Sequence, residues 1–545
     1  MTKGKVDDSF GLDSALIAEL DWDRALSRVL HDLRSDFVWA PHLQFIFRYA
    51  GNELIAQVRA ELESGTFHPG VPITIEVPKS FRIRVGGKSK RLGPSYSRPG
   101  SILPPKDRLL YQCLADEAAS IVEKSIDKKR SFSHRVAKTK AGAMFVPARE
   151  CWTALQKALK EHVSMEEHKY LLKVDVANYF GSINQHSLIN ALRGAGYPAS
   201  LANPLEKMLT VYTGHKSSRG ILQGLYPSDL FGSFYMRPID RFFDDINTAS
   251  ARYVDDIYVF IDGLAKANDV MRSLIPELRV NDLTLNEAKS SLIPKSLLNA
   301  EEPDLEELFA GAVAELEDNL AEIDVDMDYG FQKDWSDDEE AEDPPDIELE
   351  ATKQLFDSID SFPGHEESIE RFCLPLFTKL GSDHALEVVM ASFRRRPAMA
   401  QIYCAYLAKF IDEEENVQDF MLEQLDDESL FDWQRMWIIA TLHQMTEVSD
   451  SLVKVANGIL KDGERHNGLR AVAAIFVGRF GDFSRRKALF DVYGTVPEYV
   501  QAAIYFSSRD WPGPEKVNAK SSWGGQNGMN KLLSRALANR ASAKA

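Results

Sequence analysis

Apolar positions across residues 14–64 recur at mixed spacings of three and four, through Leu16, Leu20, Leu26, Val29, Leu30 and Leu33, and predict helices. From residue 72 the period changes to two. Ile73-Thr74-Ile75-Glu76-Val77-Pro78 and Phe81-Arg82-Ile83-Arg84-Val85 alternate as strands do, and a basic, glycine-rich turn from Gly86 to Gly93 follows. Helical spacing resumes over 107–124 and 150–161. Tyr170-Leu171-Leu172-Lys173-Val174-Asp175 is a short apolar run of the buried-strand type, ending in an acid. Helices are expected near 186–194 and 202–212, followed by a glycine-containing loop over 214–224. A helix from about 228 to 244, with Ser228 placed to cap it, comes next. Ala251-Arg252-Tyr253-Val254-Asp255-Asp256-Ile257-Tyr258-Val259-Phe260 sets two adjacent acids between two β-prone runs. That pattern predicts a hairpin whose tight turn presents both acids. A helix over 265–278 then leads to strand-like Leu283-Thr284-Leu285, and from 351 to about 510 helix follows helix. Residues 521–545 read as a mobile tail or a terminal helix.

Length and charge refine this picture. A chain of 545 residues suggests two to four domains, and 44% hydrophobic residues suffice for packed cores. The first eight residues have no apolar core of a signal peptide, and no stretch nears the roughly 20 apolar residues of a membrane helix. Cys113, Cys151, Cys373 and Cys404 are scattered, which speaks against structural zinc and a disulfide framework. A soluble protein of a reducing, cytoplasmic compartment is expected. The net charge of −18 hides an asymmetry: residues 1–300 hold 40 Lys+Arg against 34 Asp+Glu, a net of +6, whereas residues 301–350 hold 22 acids and one Lys. The first 300 residues suit a polyanion, and the middle segment would repel one. The acid-Pro run Asp337 to Asp346 reads as a spacer, or as a mimic that occupies a basic channel until substrate displaces it.

The acids carry the chemistry. Adjacent like charges repel, so a pair held at a turn between buried strands points to a bound cation. Asp244-Asp245 and Asp337-Asp338 show the contrasting solvated case. Asp175, at a strand end, together with Asp255 would supply oxygen ligands for two Mg²⁺ ions (or Mn²⁺), a site that activates a 3′-hydroxyl and neutralises charge on a leaving pyrophosphate. Phe180, five residues after the acid, suits packing beneath a nucleotide sugar, where it would leave no room for a 2′-hydroxyl. Taken alone, Asp175 also fits a plain loop acid and Phe180 a core ring. Gln223 and Gly224, in Ser218-Arg219-Gly220-Ile221-Leu222-Gln223-Gly224-Leu225-Tyr226-Pro227-Ser228, suit close approach to a base and its template strand. The basic stretch Arg84, Lys88, Lys90, Arg91, Arg98, Lys106 and Arg108 suits a triphosphate or a nucleic-acid backbone, or a solvated charged face. More bases follow at Lys128-Lys129-Arg130 and in Ser131-Phe132-Ser133-His134-Arg135. Lys289, in Leu283-Thr284-Leu285-Asn286-Glu287-Ala288-Lys289, stands as a general acid for pyrophosphate.

The order of these pieces is more specific than any one of them. Basic strands, a strand acid with an aromatic, Gln-Gly-x-x-Pro-Ser, Tyr-x-Asp-Asp and Leu-x-Leu-Asn-x-x-Lys run in one direction over about 200 residues. Over roughly residues 70–295 this resembles the fingers and palm of a reverse transcriptase. The resemblance implies Asp175, Asp255 and Asp256 as catalytic acids, with Val176 beside them among the metal-binding positions. It implies Phe180 as steric gate, Gln223 and Gly224 at the nascent base pair, Arg98 as the fingers' phosphate clamp, and Lys289 as the later lysine. Retron and group II intron signatures are absent, as are RNase H and integrase patterns after 295. The helix pairs after 351 are spaced as in a HEAT-like α-solenoid, whose units bury a core only by stacking. A palm followed by such a domain resembles bacterial abortive-infection and defence-associated reverse transcriptases. The expected fold is therefore α/β plus all-α: an N-terminal helical extension (1–70), right-hand polymerase fingers and palm (71–300), an acidic linker (301–350) and an α-helical repeat domain (351–545).

That resemblance implies an Mg²⁺-dependent DNA polymerase in antiphage defence, adding dNTPs to a 3′-hydroxyl or a protein hydroxyl, with or without a template. Two alternatives stand beside it: cDNA synthesis on a dedicated non-coding RNA, and a catalytically silent scaffold that binds nucleic acid. The partners are dNTPs, a DNA product, a non-coding RNA in the templated case and, through the helical domain, further copies of the chain; no membrane is expected. Tyr403, Tyr406, Tyr493, Tyr499 and Tyr505 are candidate priming residues or core aromatics, and Arg394-Arg395-Arg396 a phosphate contact or a helix C-cap.

Overall fold

A computed structural model describes residues 10–544 except 11, 80–81, 86–87, 92–96, 140–141, 215–216, 301–345 and 363–364. Nearly all of the acidic segment lies outside the described residues, as do the glycines of the 86–93 turn and the side chains of Arg84, Lys88, Lys90 and Arg91.

In chain order, α1 (Ser14–Glu19), α2 (Trp22–Asp32), α3 (Pro41–Tyr49) and α4 (Gly51–Glu63) lead to β1 (Ile73–Pro78), β2 (Arg82–Val85), β3 (Lys88–Arg91) and β4 (Ser97–Ile102). There follow α5 (Pro105–Ser125), α6 (Ala148–Ser164), β5 (Tyr170–Val174), α7 (Tyr179–Ser182), α8 (Gln185–Gly194), α9 (Ala199–Tyr212), α10 (Tyr226–Tyr235) and α11 (Arg237–Asp245). The hairpin β6 (Ser250–Tyr253) and β7 (Asp256–Ile261), α12 (Leu264–Val280) and β8 (Ser291–Pro294) complete the first 300 residues. Two compact units divide the chain, each built from separated segments. One comprises Met1–Leu33, Asn52–Pro72 and Leu103–Glu302; the other comprises Arg34–Gly51, Ile73–Ile102 and Pro303–Ala545.

The first unit is organised on a four-stranded antiparallel sheet of order β6-β7-β5-β8. β7 reads Ile257-Tyr258-Val259-Phe260-Ile261 without alternation because it is buried on both faces. One face packs Leu171, Ala251, Tyr258 and Phe260 against Leu155 and Trp152 of α6. α5 is a core helix, and its charges are paired: Arg28 with Asp116 at 2.5 Å and Arg108 with Asp32 at 2.9 Å.

Asp107 of α5 is fully buried, and accepts from Gly70 N (2.8 Å) and the Tyr212 hydroxyl (3.4 Å). Burial pushes its pKa up to about 7. Between the ordinary carboxylate value and 7, the folded state holds a proton that the unfolded chain has lost, so stability falls as pH rises through that window and stays lower above it. Asp107→Asn should therefore flatten this slope. Near pH 4 its melting temperature should match the parent's, and at pH 8 it should melt higher, by an amount equivalent to a few kcal/mol at most, roughly 1.4 per pK unit.

Local details differ from the sequence reading for definite reasons. The expected 228–244 helix is two helices parted at Met236, since Pro238 has no N–H to carry the hydrogen-bond ladder onward. Ser228 caps nothing: the helix already begins at Tyr226, and the buried Ser228 Oγ lies 3.1 Å from the Tyr111 hydroxyl. Leu283–Leu285 forms a single bridge, Val176 with Leu285, and the strand is β8 instead.

In the second unit, helices Glu366–Leu380, Ala400–Ala408, Asp432–Leu442, Asn467–Phe480, Glu498–Ser507 and Gly528–Lys544 form one layer, each packed on the next. Helices Asp346–Asp357, Glu415–Asp426, Asp450–Lys461, Phe483–Tyr493 and Gly513–Trp523 pack against members of that layer. This is the stacked architecture of an α-helical repeat. Asn467–Phe480 is apolar nearly all round and buried from Gly468 to Gly478, as a central layer requires. The last residues form a helix rather than a tail. β1 and β4 pair antiparallel within this same unit, with Ile75 opposite Gly100 and Val77 opposite Arg98, while β2 and β3 form their own pair.

The five tyrosines considered for priming are all buried; Tyr403 donates to Glu370 at 2.7 Å and Tyr406 to the Ser382 carbonyl at 2.8 Å. Burial raises their hydroxyl pKa values, which weakens them as nucleophiles. Arg396 pairs with buried Glu370 and also reaches Ser392 Oγ. The four cysteines are free and buried, and among the described residues no helix is long and apolar enough to cross a membrane.

Candidate active site

The register of the sheet brings the acids together. Val174 of β5 pairs with Ile257 of β7, so Asp175, the next residue, comes level with Asp256 on the neighbouring strand. Adjacent strands lie about 4.8 Å apart. Tyr253 pairs with Asp256, closing a two-residue turn at Val254-Asp255. Val254 has φ +54°, a left-handed conformation that a β-branched residue resists. Such strain costs about 1–3 kcal/mol and persists only where surroundings impose it.

Those surroundings are specific. Val254 N donates to Ser133 Oγ at 2.7 Å, and Arg252 Nη1 donates to the Val254 carbonyl at 3.2 Å. The Arg252 guanidinium is buried, meets both Asp240 oxygens at 2.8 and 2.9 Å, and donates to the Ser233 carbonyl at 3.0 Å. Main-chain bonds from Arg252 N to Arg130 O (2.6 Å) and from Phe132 N to Arg252 O (3.1 Å) lay residues 130–132 along β6. Ser133, Arg252 and Asp240 thus set the turn; Ser133 and Arg252 lie within stretches singled out in the sequence, but nothing there gave any of the three this role. The one signal for Arg252 was a lone cation inside an otherwise apolar strand.

Burial, then the charge of Asp256, then that of Asp175 push the Asp255 pKa up to about 7, with Lys289 opposing. Asp175 accepts from Asn286 Nδ2 at 2.7 Å and from Lys289 Nζ at 3.2 Å. Two main-chain bonds fold the Lys289 segment onto the strand end: Ala177 N to Thr284 O and Asn286 N to Asp175 O, both 2.8 Å. Neither involves the Val176 carbonyl. Asn286 was legible only as part of the Lys289 motif; its hold on Asp175 was not. Among the described residues, no three ligands already stand close enough to grip an ion, and Asp175 bonds to Asn286 and Lys289. The donor set nevertheless fits hard divalent cations: three carboxylates crowd one sheet edge, and one of them is unfavourable when charged and uncompensated.

Phe180, five residues after Asp175, lies on α7 and is half-buried. A Cβ at Gly232 of α10 would stand 3.0 Å from its ring, so the glycine makes room for it, and the Tyr179 ring packs edge-on at 5.3 Å. The 218–224 loop is stitched to the same turn through Ile221 N to Phe180 O (3.0 Å), Gly220 N to Ile183 O (2.8 Å) and Gln185 N to Ser218 O (2.9 Å). Gln223 and Gly224 follow directly. Gly224 has φ +75°, and Gln223 Oε1 is buried with no protein donor among the described residues. Asp175, Phe180, Gln223, Gly224, Asp255, Asp256 and Lys289 all belong to the first unit. Arg98 belongs to the second, on β4, where its guanidinium lies 4.9 Å from the centre of the Phe37 ring.

Residues 88–299 match the family model described as reverse transcriptase (RNA-dependent DNA polymerase). The chain thus carries a reverse transcriptase domain, and its activity class is RNA-directed DNA polymerase. No curated protein matches the chain. Among solved structures, it is similar to apo telomerase from Candida tropicalis, at 10% identity over 89% of this chain and 73% of that one, with a TM-score of 0.30. Candida tropicalis telomerase with a TWJ fragment of telomeric RNA shares 10% identity over 82% and 68%, with a TM-score of 0.31. Candida albicans telomerase with the corresponding fragment gives 10% over 87% and 70%, with a TM-score of 0.28.

Proposed function

We propose that this protein is an Mg²⁺-dependent DNA polymerase acting in bacterial antiphage defence, with Asp175, Asp255 and Asp256 as its catalytic acids. The observation that carries the catalytic part is the register Val174–Ile257, which sets three carboxylates on one sheet edge and leaves Asp255 with a pKa of about 7. The carboxylates, with the Val176 carbonyl beside them, would hold the divalent ions, whose chemistry there would be to lower the pKa of a 3′-hydroxyl and to offset phosphate charge. The hydroxyl oxygen bonds to the α-phosphorus of a dNTP as the bond to pyrophosphate breaks. Lys289 supplies a proton to the leaving pyrophosphate. Phe180 excludes a 2′-hydroxyl, Gln223 and Gly224 border the nascent base pair, and Arg98 holds the nucleotide phosphates. The defence role rests on the resemblance of a palm joined to an α-helical repeat domain.

A second reading, synthesis on a bound RNA, is favoured by the RNA-dependent character of the matched family. Purified protein supplied with labelled dNTPs and Mg²⁺ distinguishes the two. Random or homopolymeric products support template-free extension, and one cDNA complementary to a co-purified RNA supports the templated reading. Incorporation that persists after Asp255→Ala plus Asp256→Ala would overturn the acid assignment. Unimpaired plaque formation on cells expressing the active protein, across a broad phage panel, would overturn the defence role.

A further inference from the structure

One carboxylate of the first unit sits where a helix stop alone would not put it. α12 is capped by Asn281, and two bonds close it: Leu283 N to Leu278 O at 2.9 Å and Asp282 N to Arg279 O at 3.1 Å. Such a stop holds the residue after the cap in left-handed backbone, where glycine is usual. Asp282 fills that position with φ +57°. The same paired bonds close other helices of the chain at Gly65, Gly196, Asn247 and Gly381, all of them uncharged. An acid here bears two costs: a side chain in left-handed backbone, and a negative charge at the negative end of the helix dipole.

The contacts of the side chain offset both. Asp282 forms an ion pair with Arg219 of the 218–224 loop and accepts from Asn184 Nδ2 at 3.0 Å. The Asn184 amide is oriented for that contact, because its Oδ1 caps α8 by accepting from Ser187 N at 3.0 Å. Asn184 and Arg219 are themselves bridge partners. Next to them the buried Gln185 donates from Nε2 to Gly220 O at 2.8 Å. The Tyr235 hydroxyl of α10 donates to Asn281 O at 2.9 Å and accepts from Asn184 N at 3.4 Å.

Asp282 thus joins two segments of the candidate site. Gln223 and Gly224 follow Arg219 in its loop. On the other side, Thr284 O accepts from Ala177 N at 2.8 Å, and the segment runs on to Asn286 and Lys289, which bond to Asp175. All of these residues belong to the first unit.

We propose that Asp282 is a positioning residue: through Arg219 and Asn184 it sets the Gln223–Gly224 loop against the segment that carries Asn286 and Lys289. The proposal rests on the reading of Gln223 and Gly224 as bordering the nascent base pair.

The test uses the full-length protein, a poly(rA) template with an oligo(dT) primer, and dTTP or the mismatched dCTP. Asp282→Gly removes the carboxylate and keeps the helix stop, so its melting temperature should stay close to the parent's. It should nevertheless raise the dTTP KM roughly 3–10-fold with little change in kcat, and lower the dTTP/dCTP ratio of kcat/KM. Arg219→Ala should do the same, and the double variant should be no worse than either, because residues acting through one contact are not additive. Asp282→Asn keeps an acceptor and should retain most of the parent's KM. If the parent adds dTTP no better than dCTP, or if Gln223→Ala alters neither KM nor the ratio, the base-pair reading of the loop falls. If Gln223→Ala alters them while Asp282→Gly and Arg219→Ala do not, or if the effects of those two add, the positioning role falls and the loop reading stands. A loss of kcat and melting temperature together in Asp282→Gly, with the ratio unchanged, would make Asp282 a structural acid and overturn the proposal. Should Asp282→Gly fail to fold, the contrast between Arg219→Ala and Arg219→Lys, which retains the charge, decides.

Discussion

Asp255→Asn is expected to lower dNTP incorporation by roughly 10²–10³-fold or more while making the metal-free protein more stable above pH 7. Both effects have one origin. The carboxylate sits half-buried beside Asp256 and Asp175, and burial and repulsion raise its pKa to about 7. A raised acid pKa means that stability declines as pH rises from the ordinary carboxylate value to about 7 and stays reduced above it. The neutral amide removes that decline. Near pH 4 the variant and parent should melt together. At pH 8 in a chelator the variant should be ahead by about 1–2 kcal/mol, a figure discounted for partial solvent screening. Thermal melts at the two pH values, beside incorporation assays with divalent ion, measure both. A variant that loses activity and stability together would mean that Asp255 is a structural acid. One that keeps its activity would remove it from the catalytic set.

Phe180→Ala is expected to cut discrimination against ribonucleotides by on the order of 10²-fold, with dNTP turnover reduced only several-fold. The ring is held from two sides, by the Tyr179 ring and by the space that Gly232 leaves on α10. Its placement on α7 therefore does not depend on a ligand. On the proposed reading, truncation removes the body that would fill the 2′ position, and it alters no carboxylate. The ratio of kcat/KM for a dNTP and the matching rNTP is the readout. An unchanged ratio would return Phe180 to the status of a core ring. Gly232→Ala gives a converse check: its Cβ would press on the ring at 3.0 Å, and it should alter discrimination with the ring still present.

The elements around the candidate site were legible in the sequence where contiguous residues carry them. Tyr253-Val254-Asp255-Asp256 between two apolar runs specified a hairpin, and β6, a two-residue turn and β7 are there. The apolar run before Asp175 specified a buried strand, and β5 lies in the middle of the sheet. Alternation over Ile73–Pro78 specified β1, with Ile75 and Val77 buried. Errors arose where one residue outweighed a periodic pattern, as Pro238 did in parting α10 from α11. Helix and strand periods also say nothing about which distant groups hold a turn. Ser133 fixes Val254 from 121 residues away through one hydrogen bond, Asp240 fixes Arg252 from 12 residues away through two, and neither leaves a pattern.

The order of apolar and charged positions determined which segments are strands, which are helices and which short stretches carry acids, because backbone period and side-chain burial are local properties. Only the tertiary structure decided that Asp175 stands level with Asp256, since strand register depends on packing across the sheet rather than along it. It alone decided that Lys289 and Asn286 close over Asp175. It alone placed the strand of Arg98 in the compact unit of helices that begin some 250 residues later in the chain. Contacts of that separation form when buried surface outweighs the entropy of closing the loop between them, and that balance is a property of the whole fold.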